Sequence, residues 1–91
     1  MRLEWDEQKR LSNFEKHGLD FADAATVLSG LGYEIQDLRD DYGESRFKYF
    51  GFLKGFMVLV VYSPREESYR IISMRKATPD EEKTALKYLY G

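Results

Sequence analysis

The chain predicts an α+β fold in which two N-terminal helices lead into an antiparallel sheet of three to four strands and a C-terminal helix closes the chain. Three observations carry that prediction. Asp6 and Asp20 stand before segments with apolar residues at helical spacing, and each segment ends on a glycine. The run FMVLVVY at 56–62 is apolar without a break and follows a Lys54-Gly55 pair. Thr78-Pro79-Asp80-Glu81 then combines an N-cap, a proline suited to the first helical position and an acid three residues on.

Taken in order, Asp6 caps a helix over residues 7–17 with Leu11 and Phe14 on one side and Gly18 as its stop. Trp5 staples the N-terminus to the core. Asp20 caps a second helix, with Phe21, Ala24, Ala25 and Leu28 at helical spacing and Gly30 ending it. YEIQDL at 33–38 reads as an edge strand and RDDYG as a polar turn. SRFKYFGFL and FMVLVVY make two strands joined by a tight turn at Lys54-Gly55. The second, with no polar alternation, suits a strand buried on both faces. Ser63 to Ser68 is a polar loop containing Pro64, and YRIISMRK is the next strand. The last helix places Glu82, Ala85, Leu86, Leu89 and Tyr90 on or beside one side.

Ninety-one residues amount to one domain, 1–91, with a single modest core. An apolar content of 43% beside 33% charged residues belongs to a soluble globular chain. Without cysteine there is no disulfide frame, thiolate metal site or thiol nucleophile, and one histidine cannot build a multi-histidine metal site. No cofactor is expected. The N-terminus lacks a signal-peptide apolar core, and no run approaches the roughly 18 apolar residues of a membrane span. A cytoplasmic location is the default expectation. No P-loop, Ser-His-Asp pattern or metal-ligand spacing is present.

Net charge is −2, yet residues 44–76 carry seven bases against three acids. An acidic chain with a basic middle can present one positive face. In a regular strand Arg70 would share a face with Ile72, Met74 and Lys76, while Ser73 and Arg75 would point the other way. Arg70 and Arg75 therefore share a face only if a bulge intervenes or one of them lies past the strand's end. Arg46 and Lys48 share a face opposite Phe47 and Tyr49, and with the late arginines they would make a phosphate-sized cationic patch. Solvated surface charge is the plainer reading of that pattern. Glu44, two residues before Arg46, is either a proton acceptor beside cations or a local ion pair. His17 closes the first helix, where it either caps the last carbonyls or does acid–base work. Tyr88 is a packing residue or a stacking platform.

Together the residues carry a resemblance. Trp5-Asp6, Asn13, Lys16-His17-Gly18, Phe21 with Ala24, Gly43-Glu44 with Arg46, and Arg70-Ile71-Ile72-Ser73 with Arg75 and Ala77 make a series that resembles the BrnT family of toxins from bacterial type II toxin–antitoxin pairs. The likeness runs from Trp5 to Tyr88. It implies a RelE-like fold, an endoribonuclease that stops translation, and a silencing BrnA-type antitoxin that is DNA-binding and dimeric. It also implies an RNA substrate, with the ribosome as a setting for it.

Carried onto this sequence, the family pattern falls on His17, Glu44, Arg46, Arg70, Ser73 and Arg75, with Tyr88 a looser match. Lys16 and Lys48 join the substrate-binding candidates on position and charge. RNA supplies its own 2′-hydroxyl nucleophile, so cleavage to a 2′,3′-cyclic phosphate needs no metal. It needs a base, cations around the phosphorane, and an acid for the leaving 5′-oxygen. Arg46, Arg70 and Arg75 are the candidates for holding phosphate, His17 or Glu44 for the base, and His17 or Tyr88 for the acid. The alternative is a non-nucleolytic toxin, or an RNA- or protein-binding module of the same fold, neutralised by its antitoxin.

Overall fold

The apolar run at 56–62 lies inside the central strand of a five-stranded sheet. In the computed structural model, which describes all residues 1–91, the elements are β1 (Leu3–Glu4), α1 (Glu7–His17), a 3₁₀ turn (Phe21–Asp23) leading into α2 (Ala24–Ser29), β2 (Gly32–Gln36), β3 (Phe47–Leu53), β4 (Phe56–Pro64), β5 (Tyr69–Lys76) and α3 (Pro79–Tyr90). The sheet order is β1-β5-β4-β3-β2. β2 to β5 pair antiparallel, whereas β1 joins the edge of β5 in parallel. The expected three to four antiparallel strands are thus corrected to five, one of them parallel. Two residues are too few to show the period-two alternation by which a strand is recognised in sequence.

The terminal signals act as expected. Asp6 Oδ1 accepts from the Gln8 and Lys9 amides, and Gly18 ends α1 at φ 71° with its amide donating to the Phe14 carbonyl. Asp20 differs in part: it caps the 3₁₀ turn by accepting from Ala22 N–H, and the α-helix expected directly after it begins only at Ala24. Lys54 and Gly55, at φ 51° and 88°, make the left-handed pair that a two-residue hairpin turn requires. Thr78 and Glu81 close a full capping box around Pro79.

Helices lie on both sides of the sheet. The 3₁₀ turn and α2 bury Phe21, Ala24 and Val27 against Val58, Val60, Tyr62, Ile71 and Met74. Trp5 packs edge-on against Phe21, the stapling role expected of it. On the opposite face, Ala85 and Leu86 of α3 cover Phe50, Met57 and Leu59. β4 is buried from Met57 to Ser63, as a doubly covered strand should be. Tyr49 lies over Gly32 and Gly51, where a Cβ would come within 2.3 Å and 2.9 Å of its ring. No helix is long and apolar enough to cross a membrane.

Helix α1 departs from expectation. None of its residues is buried, and Leu11 and Phe14 are about half exposed. The helix runs beside the edge of β5 that β1 leaves free. There Asn13 donates to the Met74 carbonyl at 2.8 Å and accepts from the Met74 amide at 3.2 Å. A single side-chain amide thus completes β5 as a neighbouring strand would, and α1 attaches through this polar contact in place of an apolar stripe.

Candidate functional site

The geometry of the site follows from one irregularity. Val61 pairs with Ser73 and Tyr62 with Ile71, so Ile72 is an extra residue in β5. This bulge corrects the face assignment expected of a regular strand. Arg70 lies opposite Ser63, Ser73 opposite Val61 and Arg75 opposite Leu59, so all three residues fall on one face. Met74, set opposite Val60, turns into the core on the other face. Across β4, Lys48 pairs with Val61 and extends the same face, with Arg46 two residues before it. The helix α3 covers only the half of this face near Phe50 and Leu59. Arg46, Lys48, Arg70 and Ser73 occupy the other half and are partly exposed.

Each arginine is held by a carboxylate. Arg70 Nη1 donates to Glu4 at 3.1 Å, and Ser68 donates to the other oxygen of the same carboxylate. First Ser68 and then Arg70 draw the Glu4 pKa below its ordinary value. Arg75 grips Glu81 with two bonds of 2.8 and 2.9 Å. That grip, aided by the Thr78 amide and opposed by burial, takes the Glu81 carboxyl down to about 2. Arg46 contacts Glu44 at 3.4 Å and stacks over the Tyr42 ring at 4.0 Å. Arg65 reaches the other oxygen of Glu44 at 3.2 Å. Burial works against the Glu44 charge, but Arg65 and Arg46 outweigh it, and its pKa is lowered. Glu44 is therefore an anion poised between two guanidinium groups, which reduce its basicity but keep it deprotonated and free to accept a proton.

Lys48 is the exception, with no carboxylate in ion-pair range and its ammonium 5.8 Å from the centre of the Phe50 ring. Beside it Asp37, whose side chain is fully buried, takes a two-pronged contact from Arg39 at 2.7 and 2.8 Å. This contact holds the Asp37 pKa at about 2. Arg39 is near enough to Arg75 for the two charges to oppose each other.

Lys16 and His17 sit at the rim, in a shallow depression of about 240 Å³ shared with Lys9, Asn13, Ile72 and Ser73. The bulge and the last turn of α1 thereby bring His17 and Ser73 together. Tyr88 is not part of this group. It is 68% exposed near the end of α3, and its ring stacks on Tyr33 with centroids 4.6 Å apart. Sequence reasoning missed Arg39, Arg65, Tyr42 and Glu4. The first three lie in irregular segments without periodicity, and Glu4 belongs to the unrecognised β1.

The arrangement gathers six cations on and beside one sheet face: Arg39, Arg46, Arg65, Arg70 and Arg75 are each fixed by a carboxylate, and Lys48 stands among them unpaired. Such a face can take an anion by exchanging carboxylate for phosphate on preset guanidinium forks. A search of curated proteins finds no relative matching the chain. A family model described as "Ribonuclease toxin, BrnT, of type II toxin-antitoxin system" matches residues 5–81. That span takes in every feature of the cationic face except Glu4, and the chain belongs to the BrnT family of ribonuclease toxins.

Proposed function

We propose that the protein is a metal-independent endoribonuclease that stops translation by cutting RNA in the cytoplasm, and that it acts as a single domain over residues 1–91. The observation that carries this reading is the bulge at Ile72, which sets Arg70, Ser73 and Arg75 on the face of Arg46 and Lys48. Arg46 and Arg70 bind the scissile phosphate and stabilise its added charge in the phosphorane. Lys48 takes a neighbouring phosphate, and Arg75 holds the site's geometry through Glu81. Lys16 and Ser73 guide the strand along the edge of β5.

Acid and base act from opposite sides of the phosphate. Glu44 lies on the β3–β4 side, within reach of Arg46 and Arg65, while His17 lies over the outer margin of β5 beside Ser73. Glu44 accepts the proton of the 2′-hydroxyl, and that oxygen attacks phosphorus. His17 protonates the departing 5′-oxygen, leaving a 2′,3′-cyclic phosphate. Tyr88 has no part in this scheme. A BrnA-type antitoxin, dimeric and DNA-binding, is the partner that would silence the activity, and RNA on the ribosome is one form of substrate.

The test is cleavage of a defined RNA in EDTA by the parent and by folded Arg46→Ala and Arg70→Ala variants. Each variant should lose roughly 10²–10³-fold in rate, the scale of removing one preset donor to a developing oxyanion. The parent's products should end in cyclic phosphate. Unimpaired cleavage by both variants would remove the cationic face from the reaction.

A further inference from the structure

Next to the cations, between β2, β3 and the first turn of α3, lies a shallow groove of about 250 Å³. Ile35, Tyr33 and Phe50 form its apolar side, Lys48 lines it too, and Asp80, Thr84 and the Arg75-bound Glu81 of α3 line the far wall. Tyr33 stacks with Phe50 at 6.2 Å and with Tyr88 at 4.6 Å, so its ring is held between neighbours. Ile35 leaves more than a third of its surface open to the groove and solvent. Asp80 makes no ion pair or side-chain hydrogen bond, although Glu4, Glu44 and Glu81 around the same face are all engaged. An unpaired cation, an apolar bed and an unpaired carboxylate thus line one groove.

We infer that this groove receives the base of the nucleotide whose phosphate Lys48 contacts, and that Asp80 selects bases carrying an exocyclic amino group. The inference rests on the ribonuclease reading for its substrate class and adds base preference to it. A base in the groove places its ring over Ile35, with its Watson–Crick edge toward α3. A carboxylate there accepts from the 4-amino group of cytosine or the 6-amino group of adenine, and repels the 4-oxo group of uracil. Thr84 offers a hydroxyl that serves either kind of edge.

Cytosine and uracil are of equal size and differ only along the Watson–Crick edge, in the group at the 4-position and the proton on N3, so the pair reports on the edge that faces Asp80. Binding is measured for fluorescein-labelled 2′-O-methyl hexacytidylate and hexauridylate, which cannot be cleaved. The parent should hold the cytidine strand about ten-fold more tightly, the scale of a hydrogen bond to a charged acceptor. Asp80→Ala should reduce the two affinities to the same value. Equal affinities in the parent, or a preference that survives in Asp80→Ala, would overturn the inference. A cytidine preference without cleavage of a matched 2′-hydroxyl RNA would keep the groove and remove the ribonuclease. Cleavage with equal affinities would do the reverse, and failure to bind either strand would remove both.

Discussion

Glu81→Gln separates the charge of Glu81 from its shape. In the parent, Glu81 accepts two bonds from Arg75 and one from the Thr78 amide at 2.9 Å. A glutamine oxygen still serves the Thr78 amide, so the capping box survives and the charged grip on Arg75 is lost. Both side chains are a quarter to a third exposed, which puts the pair between a surface ion pair and a buried one. About 1.5 kcal/mol is the expected loss, equivalent to a fall in Tm of roughly 6–12 °C for a domain of this size.

The pH dependence fixes the cause. Folding lowers the Glu81 pKa from 4.5 to about 2, so its stabilisation is complete above 4.5 and drains away as pH falls toward 2. The gap in Tm between parent and Glu81→Gln, followed by circular dichroism, should be widest at pH 6–7 and shrink steadily below pH 4.5. In an Arg75→Ala background the substitution should cost little at any pH. A gap that stays constant down to pH 2.5, or one undiminished without Arg75, would refute the reasoning.

Other substitutions probe the remaining contacts. Asn13→Ala should cost about 2–3 kcal/mol, because it strips both backbone groups of Met74 of a partner. Hydrogen exchange at the Met74 amide should rise with it, and unchanged protection there would contradict the edge role. Gly51→Ala sets a Cβ 2.8 Å from Val27 Cγ1 and 2.9 Å from the Tyr49 ring, for an overpacking cost of about 1–3 kcal/mol seen as a lower urea midpoint. His17→Ala should slow single-turnover RNA cleavage by roughly 10²–10⁴-fold with Tm little changed, since its side chain supports no other group. A rate within a few-fold of the parent would return His17 to a helix-capping role.

What the sequence disclosed was local. Asp6, Gly18, Lys54-Gly55 and the Thr78 capping box each satisfy a backbone need within four residues, so their chemistry can be read in place. The burial of β4 was legible because an uninterrupted apolar run has few other uses. Long-range facts were hidden. Leu11 and Phe14 have helical spacing, but α1 meets the sheet through Asn13, and nothing in the helix's own sequence announces a backbone partner 61 residues away. A bulge is one of two ways for the arginines to share a face, yet Arg70-Ile71-Ile72-Ser73 does not show whether one occurs or that it falls at Ile72. Which residues pair across two strands decides it. Arg39 and Arg65 were overlooked because charged residues in loops look alike until their carboxylates are located.

The parallel edge strand β1 bears on how the protein comes into being. Glu4 is synthesised 66 residues before Arg70, the residue it fixes. Closing so long a loop costs entropy that is recovered only when the intervening strands are in place, and such distant pairings slow folding. The edge of the cationic face is therefore assembled last. A nascent chain halted anywhere before β5 lacks the bulge, the late arginines and the strand against which β1 must dock. For a ribonuclease made on ribosomes, this order of assembly delays a complete site until β5 has emerged.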